Sequence, residues 1–130
     1  MGETKMKIAV RIIVGLVGLF NLLIGARFLF TPAQMATEFA VSPIGTQGMA
    51  TLRADFPGFF LTGGLFALIG AWRSDAKPLL VPIALLGFAL FGRFISVALD
   101  GTAATTFPPM IAEAVMLGVL IFASRAFNKA

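Results

Sequence analysis

The sequence predicts an all-α integral membrane protein, a bundle of four transmembrane helices, and three observations predict it. Of the 130 residues, 58% are hydrophobic and only 12% are charged, where soluble domains carry about 25% charged residues. Mean hydropathy is +0.96, and a water-soluble domain of this size has too little interior to hide so much apolar surface. The apolar residues also gather into four runs that at about 1.5 Å per residue span roughly 25–35 Å, close to a bilayer core of about 30 Å. Finally, the basic residues collect at alternate ends of those runs. In hydrocarbon only a helix or a closed barrel satisfies its own backbone. Barrel strands alternate in polarity, and these runs do not.

The first run covers residues 8–30 and is interrupted by Arg11, Asn21 and Arg27. Lys5, Lys7 and Arg11 precede or open it, as in a signal peptide. The run is long and carries Arg27, and Ala40-Val41-Ser42 is a weak cleavage site, so an uncleaved first helix is expected. Residues 31–48 form the longest connection, opened by Thr31-Pro32 and closed by Ser42-Pro43 and Gly45. Within it, Gln34 to Val41 makes either two turns of interfacial helix, with Met35 and Phe39 on one face, or an ordered loop. The second run, 49–71, carries Arg53, Asp55 and Pro57 near its start. The third, 78–99, carries Arg93 near its end. The fourth, 107–123, contains Glu113. Gly15, Gly18, Gly25 and Gly63-Gly64 are the expected close-packing positions. The 14 phenylalanines are expected to fill the core and face lipid.

Lys5, Lys7, Arg11, Arg73, Lys77, Arg125 and Lys129 all fall on one side of an even number of spans, and the opposite connections hold no Lys or Arg. The positive-inside rule then places both termini in the cytoplasm and residues 31–48 and 100–106 outside. The net charge of +4 thus reflects topology, and no nucleic-acid partner is expected.

In that topology Arg27, Arg53, Asp55, Arg93, Asp100 and Glu113 lie in the outer half of the bundle, three cations with three carboxylates. A charge at membrane depth costs about 2.5–3.5 kcal/mol at the centre and less near an interface. Six unpaired charges in one plane are untenable, so they are expected to pair or to line a wet cavity. At 100° per residue, Arg93, Ser96 and Asp100 share a stripe with Ala89, Leu86 and Pro82, and Arg53 shares one with Gly64, Ala67 and Ala71. Glu113 lies above Met116, Leu117, Leu120 and Ser124, and Arg93 is its expected partner. Arg27 projects away from the Gly18–Asn21–Gly25 face, an orientation that suits snorkelling to headgroups.

The layer has three readings. It is a closed network fixing helix register, or a pocket for a lipid headgroup, small anion or proton, or an interface for a partner subunit. In the pocket reading Arg53 and Arg93 aim into a shared opening walled by Phe56, Phe59, Phe94 or Phe107. The ligand-binding set is then Asn21, Arg53, Asp55, Arg93, Asp100 and Glu113.

Thr-Leu-Arg-Ala-Asp-Phe-Pro-Gly-Phe-Phe-Leu-Thr-Gly-Gly at 51–64, Gly-Arg-Phe-Ile-Ser-Val-Ala-Leu-Asp-Gly at 92–101 and Ala-Glu-Ala-Val-Met-Leu-Gly at 112–118 together resemble an uncharacterised bacterial family of small four-helix membrane proteins, a domain of unknown function. The layout is similar to the DoxX-like membrane proteins, and the likeness covers about residues 10 to 125. Pro57 stands where the family pattern has Gly. The resemblance implies the fold and the bacterial inner membrane. By analogy alone, the DoxX-like comparison implies an accessory subunit of a membrane oxidoreductase.

The chain has no Cys, His or Tyr. Disulfides, iron–sulfur clusters, thiolate or histidine metal sites and Ser–His hydrolysis are therefore excluded. Asp55, Asp100 and Glu113 have three arginines competing for them, so no metal is expected. No cofactor is expected either. The favoured function is non-enzymatic: a small accessory, binding or scaffolding protein whose partners are membrane lipids and a membrane protein or a second copy. The alternative is a subunit of a membrane oxidoreductase or lipid-modifying enzyme using Glu113 and Asp100 as acid and base.

Overall fold

A computed structural model describes residues 2–128. It comprises α1 (Gly2–Phe30), α2 (Pro32–Glu38), α3 (Gly45–Arg73), α4 (Leu80–Asp100) and α5 (Phe107–Asn128), with a 3₁₀ turn at Lys77–Leu79 before α4. Thr4–Phe30, Gly45–Arg73, Lys77–Asp100 and Phe107–Asn128 are long and apolar enough to cross a membrane, so the all-α four-span bundle is the architecture. Lys129 lies outside the described residues. One end of the bundle carries α2 and the α4–α5 connection, and the other carries the start of α1, the end of α5 and the α3–α4 connection.

The helices overrun the apolar runs. α1 begins at Gly2 rather than residue 8, α3 covers Gly45–Arg73 rather than 49–71, and α5 continues to Asn128 rather than 123. Hydropathy marks the part that suits hydrocarbon, whereas a helix continues through polar residues of good propensity such as Glu, Lys and Arg. The long connection holds a helix, but at Pro32–Glu38 rather than Gln34–Val41. Pro32 suits a first helical turn because its missing N–H needs no partner there. Ala40 ends it in the left-handed region (φ 57), with Val41 N–H donating to Ala36 O at 2.8 Å and Ala40 N–H to Thr37 O at 3.1 Å. Met35 is buried and Phe39 half-buried, as an amphipathic face requires. Ser74 ends α3 in the same way (φ 51), with Asp75 N–H donating to Gly70 O at 3.0 Å.

α1 and α3 form the closest pair. A Cβ on Gly64 would lie 2.7 Å from Gly18 O, and one on Gly18 would lie 2.9 Å from Gly64 O, so backbone meets backbone. Gly25 receives Leu61 and Gly63 faces Leu85, whereas Gly15 meets open space. Pro57 is buried in an unbroken α3; lacking an N–H, it leaves the Arg53 carbonyl without its helical donor.

Each helix of this pair also caps the other. Arg11 of α1 donates from Nε to Ala71 O at 2.8 Å and from Nη2 to Trp72 O at 3.1 Å. Arg53 of α3 donates from Nη1 to Leu29 O at 3.0 Å. These carbonyls lie in the last turns of α3 and α1, where intrahelical donors run out and positive charge is favoured.

Two apolar clusters fill the bundle. One joins Val10 and Val14 to Ala67, Ala71, Leu79, Leu86, Leu120 and Phe127. The other, at the α2 end, joins Phe28, Met35, Ala36 and Leu52. Around Phe28, whose side chain is fully buried, Phe39 and Phe56 lie with ring centroids 5.0 Å away and Phe60 stacks at 5.8 Å. These rings pin α2 across α1 and α3 and so fix one wall of the site.

Candidate functional site

The polar residues at the α2 end resolve into two ion pairs with a cleft between them. On α4, Arg93 donates from Nε to Glu113 Oε1 of α5 at 2.7 Å; the Glu113 side chain is 13% exposed and that of Arg93 37%. The pairing follows from depth. Arg93 lies seven residues before the end of α4 and Glu113 six after the start of α5, each about 10 Å from the same end of the bundle. The Arg93 Nη atoms have no protein partner among the described residues. In the second pair, Arg27 of α1 grips Glu38 of α2 with both branches, Nη2 to Oε2 at 2.6 Å and Nη1 to Oε1 at 3.3 Å. Arg27 therefore does not snorkel free. The turn at Ala40 ends α2 where Glu38 comes within its reach.

Between the pairs lies a cleft of about 490 Å³, within the usual range for small-ligand sites. The last residue of α2, Glu38, and Phe39 just after it form one wall, and α4 contributes Arg93, Ser96 and Val97. The far wall is Thr105 and Thr106 with the first turn of α5, Pro108 to Met110. Pro108 and Pro109 remove two of the N–H groups that a helix start leaves unpaired. Thr106 Oγ1 accepts from Ala103 N–H at 2.6 Å, which sets the connection against the cleft mouth. Ser96 Oγ donates to Asp100 Oδ2 at 3.0 Å.

The predicted six-residue set is thus divided. Arg93 lines the cleft and Glu113 backs it. Among the described residues Arg53 is bonded to the Leu29 carbonyl and to no carboxylate, so it is an interhelical cap, and it does not line the cleft with Arg93. Asp55 is exposed, with no side-chain partner among the described residues. Asp100 accepts from Ser96, and among the described residues that line the cleft neither Asp100 nor Glu113 is found. Asn21 is buried between α1 and α5, donating from Nδ2 to Val17 O at 2.9 Å and to Met116 Sδ at 3.5 Å. Among the described residues no three carboxylates gather closely enough to hold a metal ion. The expected aromatic walls are also reassigned. Phe56 and Phe59 belong to the ring cluster, and Phe94 and Phe107 are more than half exposed. Glu38, Phe39, Thr105 and Thr106 were not anticipated. The available signal was that Glu38 is the one charge in the 31–48 connection, eleven residues from Arg27.

The model of one family, described as Domain of unknown function (DUF4345), matches residues 9–124. No curated protein and no solved structure gives a match.

Proposed function

The chain belongs to the family described as Domain of unknown function (DUF4345), and from that premise we propose a small accessory or binding protein of the bacterial inner membrane that holds the polar head of a membrane amphiphile in the α2-end cleft. One observation carries this reading. Arg93 is set about 10 Å into the bundle, its charge balanced by Glu113, with both terminal nitrogens uncommitted at the wall of an open cleft. An arginine needed only for register would be satisfied by its ion pair. One whose planar fork keeps two donors free suits phosphate or carboxylate oxygens. Orientation is part of the proposal. Lys5, Lys7, Arg11, Arg73, Lys77 and Arg125 crowd the other end, which supports cytoplasmic termini and a cleft opening outside.

A ligand that binds only the folded state raises its melting temperature. Short-chain phospholipids titrated into the detergent-purified protein should raise it, and Arg93→Gln should remove the shift. No shift with any lipid, or an equal shift in the variant, sinks the reading. A reporter fused after Asn128 should read cytoplasm, and one inserted between Val41 and Ile44 should read the outside. The reverse result overturns the orientation.

A further inference from the structure

We infer that the amphiphile is a zwitterion, a lipid whose head carries a phosphate diester and a primary ammonium group; this rests on the cleft reading above. Charge balance is the starting point. Glu38 and Arg93 line the cleft, each cancelled by a partner behind the wall, Arg27 and Glu113, and Asp100, bonded to the lining Ser96, adds one further carboxylate at the end of α4. A ligand of net negative charge that reaches Arg93 finds a cation already neutralised by Glu113, and it must also lie near the Glu38 carboxylate across the cleft. A net cation meets the mirror problem. A head with separated charges of both signs satisfies each wall without adding net charge to the site.

The walls differ in the required sense. The α4 and α5 side is rich in donors: two free Nη groups on Arg93, the Thr105 hydroxyl, and the Thr106 hydroxyl, whose oxygen is taken by Ala103 N–H and whose hydrogen is therefore available. That is a phosphate wall. The α2 side offers Glu38. Both its oxygens accept from Arg27, but a carboxylate has about four lone-pair sites, and its side chain is 46% exposed. That is an ammonium wall. A primary ammonium suits it better than a quaternary one, because a quaternary nitrogen has no N–H to give a carboxylate and is recognised by aromatic cages. Phe39 is the single aromatic ring lining the cleft. The lipid source follows from the apolar remainder. Val97, Pro109 and Met110 continue the wall, beside membrane-exposed α4 and α5 surfaces carrying Leu99 and Ile111, along which acyl chains would lie.

The test compares dioctanoyl phosphatidylethanolamine with its N-acetyl derivative on the wild-type protein in detergent, with affinities read from melting-temperature titrations and native mass spectrometry. Acetylation removes the ammonium and leaves a net anion, and no mutation is involved. The parent lipid should bind about tenfold tighter, the ratio that one charge-assisted hydrogen bond of about 1.4 kcal/mol supplies. Dioctanoyl phosphatidylglycerol and phosphatidylcholine should rank with the acetylated lipid. In Glu38→Gln, measured against its own baseline, the tenfold ratio should fall to about one. Equal or tighter binding of the acetylated lipid or phosphatidylglycerol overturns the zwitterion while the cleft reading stands, provided Arg93→Gln still abolishes binding. A ratio that survives in Glu38→Gln overturns the inference as well. Equal affinity for glycerophosphoethanolamine, which lacks chains, overturns the lipid as its source. Binding of nothing in the panel removes the cleft reading itself.

Discussion

α1 and α3 meet backbone to backbone at Gly18 and Gly64, whereas α4 and α5 meet at the α2 end through two long side chains, Arg93 and Glu113. The same residue type serves the two pairs differently. Gly18, Gly25 and Gly64 of the first pair leave no room for a methyl group, while Gly87, Gly92 and Gly118 on the second pair face open space. Lipid tails are as apolar as leucine, so helices in a bilayer associate by close packing and polar contacts rather than by hydrophobic collapse. The first pair uses packing and becomes a solid wall. The second uses an ion pair, and the wall that α4 and the first turn of α5 form beside it faces Glu38 and Phe39 across the cleft. Rigidity and a binding volume therefore come from different halves of one small bundle.

The largest effect that would break this comparison is at Gly64. In Gly64→Ala the new Cβ falls against Gly18 O at 2.7 Å and Leu22 N at 2.9 Å, both backbone atoms that cannot rotate away. A loss of about 3 kcal/mol is expected, read as a lower unfolding temperature in detergent. A near-neutral substitution would mean that the two helices are not in backbone contact.

Next is Glu113→Ala, which strands Arg93. Fully buried pairs lose about 3–5 kcal/mol when one partner is removed. Arg93 is 37% exposed, and solvent screening lowers the expectation to about 2 kcal/mol. Arg93→Met combined with Glu113→Leu should recover part of the loss. If the double change costs the sum of the singles, the pair is not coupled.

The smallest effect sharpens the comparison by its sign. Gly118→Ala adds a methyl group with nothing within 4 Å and should raise stability by about half a kcal/mol, since a helical glycine carries excess unfolded-state freedom. A clear loss in the same unfolding measurement would show that this face of α5 is covered by another chain.

What the sequence made legible follows a physical division. Apolar run length reveals spans, and angular periodicity reveals which residues share a face, so the Gly18 and Gly64 contact and the buried Met35 were within reach. Arg93 and Glu113 could be paired because both depth and opposite charge are written in the residues. Glu38 was hidden by a left-handed alanine, a conformation that its side chain does not announce. The sequence leaves Arg53 between a carboxylate network and a pocket shared with Arg93, and its acceptor is neither but a backbone carbonyl. Every residue carries one, so no residue type signals it. The four-span fold was therefore readable in outline. Of the site, only the α4–α5 half was.

The reciprocal arginine caps set a length. Leu29 follows Arg11 by 18 positions in α1, and Ala71 follows Arg53 by the same 18 in α3. Eighteen residues are five turns, about 27 Å, so each arginine and the carbonyl capped on its own helix lie at the same azimuth, and the two antiparallel helices clamp each other at both ends. Sliding one along the other by a single residue would break both clamps. The pair therefore acts as a fixed gauge, slightly shorter than a hydrocarbon core of about 30 Å. A thicker bilayer cannot be met by tilting one helix alone: the two must tilt together, or the lipid must thin around them.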